Sequence, residues 1–271
     1  MPRTIEKLNK MTRQREEEDA MGTTVQVRNL LIGEGLPKIC VPVMGTTEEE
    51  LEKEIKKVRE YQPDLVEWRV DYFEQMRDAE ILRRTLGRIR ELLGEIPLVF
   101  TVRTAREGGK ADISAEEYLN ILSAAVETGQ MDLLDVEISH GDDIAFMMIT
   151  LAHDKKVKVI ASSHDFEKTP KKEEMIMRLC KMQELEADIP KLAVMPQRER
   201  DVLTLLDATL SMKELHGETP VITMSMGDVG KVSRASGAVF GSAVTFGAVG
   251  KVSAPGQIEI GQLREILSCI R

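Results

Sequence analysis

Short apolar runs alternate with stretches of helical period along most of the chain. Ile39-Cys40-Val41-Pro42-Val43 is the first such run. Behind it, Thr47-Glu48-Glu49-Glu50 carries the Ser/Thr-x-x-Glu signature of a helix start, and Leu51, Ile55 and Val58 follow at helical spacing. Runs over 65–70 and 98–103 come next, with a helix predicted over 78–93 between them. Ser114-Ala115-Glu116-Glu117 is a second helix start, leading into Tyr118, Ile121, Leu122 and Ala125 and stopping at Gly129. Further strand-like runs cover about 131–138, 157–162, 190–195, 220–225 and 243–246, separated by helical stripes such as Met175, Leu179, Met182 and Leu185.

Strict alternation of strand and helix predicts a parallel sheet. Eight strand candidates without a long linker predict a single closed (β/α)8 TIM barrel rather than an open doubly wound sheet. The segment from Val25 to Asn29 and on through Gly33-Glu34-Gly35 precedes the first unit and reads as a hairpin covering the barrel's bottom. Residues 1–21 mix acidic and basic side chains without an apolar stripe. They read as a flexible extension outside a catalytic domain over 22–271, and Met21-Gly22-Thr23 offers an alternative start.

Composition narrows the class. A net charge of -9 argues against a nucleic-acid or anionic-membrane surface, and a small anionic substrate needs only a few local arginines. No apolar run is long enough to span a membrane, and no signal peptide opens the chain. Cys40, Cys180 and Cys269 lie far apart, which fits neither a disulfide framework nor a zinc site. They read as buried thiols in a cytoplasmic protein.

Reacting groups in such barrels collect at the C-terminal ends of the strands and in the loops after them. The polar residues there are Glu67, Arg69, Arg103, Glu107, Glu137, His164, Lys191 and Ser225, with Arg234, Ser253 and Gln257 in the last long loops. Charges within barrel strands are costly unless paired or liganded. Lys191 interrupts Ile189-Pro190-Lys191-Leu192-Ala193-Val194, where burial disfavours the ammonium and favours a nucleophilic amine. A strand-entry lysine that snorkels to water fits the same spacing. His164 closes the fifth run and is either a proton carrier near neutral pH or a cap on the next loop. His140, His153 and His216 read as loop or helix-surface residues, and no His/Asp/Glu cluster has metal-ligand spacing. Glu67 and Arg69 share a strand face and form either an ion pair or a site for substrate hydroxyls; Arg103 with Glu107 reads the same way, in a loop made pliable by Gly108-Gly109.

Val229-Gly230-Lys231-Val232-Ser233 recurs as Val249-Gly250-Lys251-Val252-Ser253. Neither is a phosphate-binding P-loop, since the first glycine of that motif is missing and no Ser or Thr directly follows the lysine. They read as mobile loops around the mouth of the site.

From about residue 25 onward, the chain resembles the type I 3-dehydroquinate dehydratases. The resemblance rests on Glu67-Trp68-Arg69-Val70-Asp71, Phe100-Thr101-Val102-Arg103 with Glu107-Gly108-Gly109, and His164-Asp165-Phe166-Glu167-Lys168-Thr169-Pro170. Ile189-Pro190-Lys191-Leu192-Ala193-Val194-Met195-Pro196, Thr223-Met224-Ser225-Met226 and Ser253-Ala254-Pro255-Gly256-Gln257 extend it. It implies a lyase in which Lys191 forms an imine with 3-dehydroquinate, His164 moves protons and Glu107 orients the histidine. By the same resemblance Arg234 clamps the substrate carboxylate and Ser253 and Gln257 close a lid. Glu67, Arg69 and Arg103 then bind on the hydroxyl side. Similar enzymes are usually homodimers of the shikimate pathway and use no metal or diffusible cofactor.

Two positions depart from the pattern. Pro42 stands where some relatives carry a substrate-contacting serine, and Ser163 replaces an asparagine seen before the histidine in some members. Two other readings of the same residues are an imine-forming aldolase and a non-catalytic ligand sensor. The aldolase has no need of Arg234, Ser253 and Gln257 together, and a sensor tends to lose the lysine or the histidine, both present here.

Overall fold

A computed structural model describes residues 24–270. The extension expected over 1–21 lies outside the described residues. The chain opens with an antiparallel hairpin, β1 (Val25–Val27) and β2 (Leu30–Ile32), in the register Val25 opposite Ile32. Then come β3 (Lys38–Val43), α1 (Glu48–Glu60), β4 (Leu65–Arg69), α2 (Ala79–Leu93), β5 (Leu98–Thr101), α3 (Ala115–Val126), β6 (Leu133–Glu137) and α4 (Asp142–Asp154). The second half continues with β7 (Lys158–Asp165), α5 (Lys172–Glu184), β8 (Ile189–Val194), α6 (Glu199–Ser211) and β9 (Ile222–Ser225). Two short helices, α7 (Lys231–Ala235) and α8 (Gly237–Phe240), precede β10 (Val244–Ala248), β11 (Ile258–Glu259) and α9 (Ile260–Cys269).

Strands β3 to β10 pair in parallel around a ring, β10-β3-β4-β5-β6-β7-β8-β9. The seam between β9 and β10 closes where Ala243 N donates to Val221 O at 2.8 Å and Thr223 N donates to Ser242 Oγ at 3.0 Å. This is the expected TIM barrel. The predicted helix starts hold as well. Ser114 and Glu117 form the full reciprocal capping box, while Thr47 caps Glu50 N and the Glu50 carboxylate reaches back to Thr46.

Alternation along the strands divides the core in two. Val66, Trp68, Phe100, Leu134, Val136, Val159, Leu192 and Val194 point outward and pack beneath the helices. Cys40, Leu65, Val99, Leu133, Ile160, Ile189, Ile222 and Val244 point inward and meet Val25, Val27 and Ile32 of the hairpin. The hairpin is therefore the plug of the barrel's bottom, as its position in the sequence suggested.

Three aspartates pin that end. Asp64, Asp132 and Asp188 stand immediately before β4, β6 and β8. Each accepts a backbone N–H of the preceding strand: Ile39 N at 2.7 Å, Leu98 N at 2.8 Å and Val159 N at 2.8 Å. Asp132 also holds Arg90 at 2.7 Å and the hairpin-turn residue Arg28 at 2.5 Å. Asp132→Ala strands a strand amide and frees both arginines, a loss of about 2–3 kcal/mol. We expect a melting temperature lower by roughly 4–10 °C, measured by circular dichroism; a fall below one degree would show that the pin carries no stability.

Three expectations need correction. Cys40 is buried, but Cys180 is half-buried and Cys269 is exposed on the outer turn of α9. His140 is no surface residue: its side chain is only 5% exposed and stacks on Tyr118 with ring centroids 4.2 Å apart. The 229–233 stretch does not form a free loop, because residues 231–235 are helical and Ser233 Oγ bonds Gly230 O and Ser225 N.

Candidate active site

The inward stripe explains where the chemistry lies. Above its apolar floor residue, each strand from β4 to β7 carries polar residues two and four positions further on. These are Glu67 and Arg69 after Leu65, Thr101 and Arg103 after Val99, Asp135 and Glu137 after Leu133, and Ser162 and His164 after Ile160. Strand β8 adds Lys191, and β9 and β10 contribute Met224, Met226 and Phe246 instead. The mouth of the barrel thus has a polar wall and an apolar wall, facing each other across one cavity. Nine of the eleven polar residues singled out from the sequence line it, Glu67, Arg69, Arg103, Glu107, His164, Lys191, Arg234, Ser253 and Gln257, whereas Glu137 and Ser225 do not.

Lys191 is buried but not in apolar surroundings alone. Its Nζ donates to Asp135 Oδ2 at 2.9 Å, lies 3.6 Å from Glu67 Oε1 and sits 4.7 Å over the Phe246 ring. Asp135 in turn accepts Arg103 Nη2 through both oxygens at 2.9 Å and Ser162 Oγ at 2.6 Å. Burial alone would raise this carboxyl, but Arg103, Lys191 and Ser162 overcome it and hold it at about 2. Asp135 is the residue the sequence reading passed over. Its signal was available, since it shares the inward face with Glu137 in a strand with no other reason to bury a charge.

Glu107 reaches His164 twice, accepting the backbone N–H at 3.0 Å and facing Nδ1 at 2.7 Å. Burial lowers the imidazole well below its ordinary value, and the nearby Arg103, Lys191 and Arg69 cations act in the same direction. Burial, helped by the Glu137 carboxylate, pushes Glu107 up to about 8 against the pull of Arg103. Both shifts favour the uncharged forms, a neutral imidazole and a glutamate harder to ionise. Gly108 and Gly109 serve this geometry by close packing rather than pliability. A Cβ on Gly108, at φ +78°, would stand 2.4 Å from the Phe166 ring, and one on Gly109 would stand 1.9 Å from Arg103 O.

The ion pairs differ in part from those expected. Arg69 pairs with Asp71, Nε at 2.8 Å and Nη2 at 2.9 Å, and not with Glu67, which accepts Thr101 Oγ1 at 3.0 Å. The expected Arg103–Glu107 pair is present at 3.5 Å, but the shorter contacts of this guanidinium are to Glu137 at 2.8 Å and Asp135 at 2.9 Å. Strand alternation turns Ser163 and Ser225 away from the cavity, toward the face opposite His164 and Met224. Pro42 stands on the inward face of β3 with no amide to donate.

Arg234 is different from the other arginines. It lies on α7, not in a loop, and its side chain is buried at the cavity rim. It donates to Pro255 O at 2.9 Å, its Nε has no hydrogen-bond partner, and no carboxylate pairs with it among the described residues. Burial without an anion lowers it to about 10. A buried cation held this way is a seat for an anionic ligand. Beside it, Gln257 bridges its own loop, accepting Ser253 N at 2.7 Å and donating to Ser253 Oγ at 3.0 Å. Among the described residues no group of three or more metal-binding side chains is gathered, and no helix is long and apolar enough to cross a membrane.

Known proteins share this arrangement of chain and fold. Residues 39–271 match the family described as type I 3-dehydroquinase. The 3-dehydroquinate dehydratase of Clostridioides difficile (strain 630) is 48% identical over 250 residues, covering 92% of this chain and 98% of that protein. The enzyme of the same name from Salmonella agona (strain SL483) is 50% identical over 247 residues, 91% of this chain and 98% of its own. A crystal structure of the Clostridium difficile type I 3-dehydroquinate dehydratase with covalently modified comenic acid superposes with a TM-score of 0.88, over 91% of this chain and 97% of that one. The chain belongs to the type I 3-dehydroquinase family and is a hydro-lyase of that class.

Proposed function

We propose that this chain converts 3-dehydroquinate to 3-dehydroshikimate through an imine on Lys191, with His164 as the proton carrier. The observation that carries the reading is the content of one cavity: a buried lysine, a histidine bonded to a buried glutamate, and an arginine with no anion of its own among the described residues. Each answers one need of the reaction. Lys191 gives up one ammonium proton and its amine adds to the ketone; the same proton, returned to the carbinolamine oxygen, lets water leave and a protonated imine remain, which draws electrons from the neighbouring carbon. His164, with Nδ1 turned to Glu107, presents Nε2 to that carbon's proton. The same ring then returns the proton to the departing hydroxyl, so that water leaves and a conjugated imine remains. Hydrolysis releases the product and restores the amine.

Binding roles follow from the two walls. Arg234 takes the substrate carboxylate, and Met224, Met226 and Phe246 face the ring. Glu67, Arg69 and Arg103 stand on the hydroxyl side, the two arginines already fixed by Asp71, Asp135 and Glu137. Ser253 and Gln257 close the mouth. In this reading residues 22–271 are one catalytic domain that works as a cytoplasmic homodimer in the shikimate pathway, without a cofactor.

The direct test is the ultraviolet absorbance of the conjugated enone formed from 3-dehydroquinate. No growth of that band with purified protein would refute the assignment. Arg234→Lys tests the clamp: a point charge cannot reproduce a bidentate contact, and losing it costs ~2–5 kcal/mol. We expect KM to rise roughly thirtyfold or more while the melting temperature holds. A near-normal KM would remove Arg234 from the carboxylate site.

A further inference from the structure

We propose that Asp135 is the fixed counterion of the imine, keeping its nitrogen protonated from condensation to hydrolysis. The proposal rests on the imine reading above and deepens it. Condensation of a ketone with an ammonium group gives a protonated imine, water and no change in total charge. The positive charge starts on Nζ of Lys191 and stays on the same nitrogen. An anion already 2.9 Å from Nζ therefore neutralises both states without moving. Asp135 is built to stay where it is: its side chain is fully buried, both oxygens bond Arg103 Nη2, and Oδ1 also accepts Ser162 Oγ.

The other charged groups facing Lys191 do not offer the same fixed contact. Glu67 approaches from β4 at 3.6 Å and is bonded to Thr101 Oγ1. Glu107 and Glu137 stand behind Arg103, at 3.5 and 2.8 Å from its Nη1, and Phe246 presents only a ring face. Arg103, bridging Asp135 to Glu137, keeps the counterion from taking up a proton. This matters for the chemistry because only a protonated imine is a strong electron sink. A neutral imine leaves the neighbouring carbon barely acidic.

Asp135 is a positioning and charge-stabilising residue, so the test must read the imine's protonation and not only turnover. Cyanoborohydride reduces protonated imines selectively, whereas borohydride also reduces neutral ones. With 3-dehydroquinate, the wild-type protein should give a Lys191 adduct with either reagent up to about pH 9. Asp135→Asn, of nearly the same shape, should still be trapped by borohydride, while its cyanoborohydride adduct should fade at least one pH unit earlier. We expect its kcat to fall a hundredfold or more with KM changed less than about threefold, and Asp135→Glu to restore part of kcat and the wild-type pH range of trapping. Equal pH ranges for Asp135→Asn and wild type would overturn the proposal. So would a wild-type imine that titrates below pH 8 by carbon-13 shift of labelled substrate, a measurement that decides the matter even if the variant does not fold. Absence of any Lys191 adduct in the wild type would instead overturn the imine reading itself.

Discussion

Lys191→Ala eliminates both the borohydride adduct and the product. Among the described residues the amine is the only group in the cavity that can condense with a ketone, and no second lysine lines it. Removing a catalytic nucleophile typically costs on the order of 10⁴-fold or more in kcat. The substitution also leaves Asp135 and Glu67 facing a void, so stability must be separated from chemistry. Asp135 keeps its bidentate contact with Arg103, which preserves the fold of that wall. Lys191→Met, which fills the space of the stem, should therefore melt close to the wild type and remain as inactive as the alanine variant. Mass mapping of the reduced wild-type protein should place the adduct on Lys191 alone. An adduct on Lys168 or Lys251, or measurable turnover by Lys191→Met, would refute the nucleophile assignment.

The periodicities made the barrel legible because each unit repeats the same physical demand. A strand buried on both faces must be apolar, and the helix that covers it must carry one apolar stripe. That demand placed the helix over 78–93 within a residue of Ala79–Leu93 and the sixth run within a residue of Ile189–Val194. It failed between 226 and 243, where α7 and α8 have five and four residues, too short for a period to register. Arg234 was therefore assigned to a loop, although helix α7 is what fixes its guanidinium at the rim.

The candidate site was legible in part for a different reason. Charges that interrupt strand runs stand out against the cost of burying them, so Glu67, Arg103 and Lys191 could be found one by one. Their cross-strand partners Asp135 and Glu137 could not, because that pairing depends on a register no single run encodes. Arg69 looked to Glu67 in sequence but pairs with Asp71, two residues on, while Arg103 keeps Glu107 at 3.5 Å and adds the closer cross-strand partners Asp135 and Glu137. His140 reads as a surface residue in sequence because its burial comes from stacking on Tyr118, nineteen positions before Glu137, to whose N–H the Tyr118 hydroxyl is bonded at 2.9 Å. Sequence thus marked the ionisable groups, and the register between strands decided which of them meet across the sheet.

His164→Ala should separate imine formation from elimination. The variant keeps Lys191 and its counterion, so borohydride should still trap an adduct on Lys191, more slowly because loss of water from the first adduct also needs proton transfer. Product formation should fall ~10²–10⁴-fold or more, the usual worth of a positioned acid–base group. The pH profile then tests the partner. The base-competent form has a proton on Nδ1 held by ionised Glu107 and a free lone pair on Nε2. Lowering the pH adds a second proton to this pair and removes the lone pair, so activity falls on the acid side. Burial lowers the imidazole and raises Glu107 to about 8, so the limb belongs to the pair and not to a free histidine at its ordinary value. Glu107→Gln deletes the anion that favours the second proton, which shifts the limb to lower pH by a unit or more while kcat drops. Wild-type turnover by His164→Ala would end the base assignment, and a limb unmoved in Glu107→Gln would show that the histidine titrates without its glutamate.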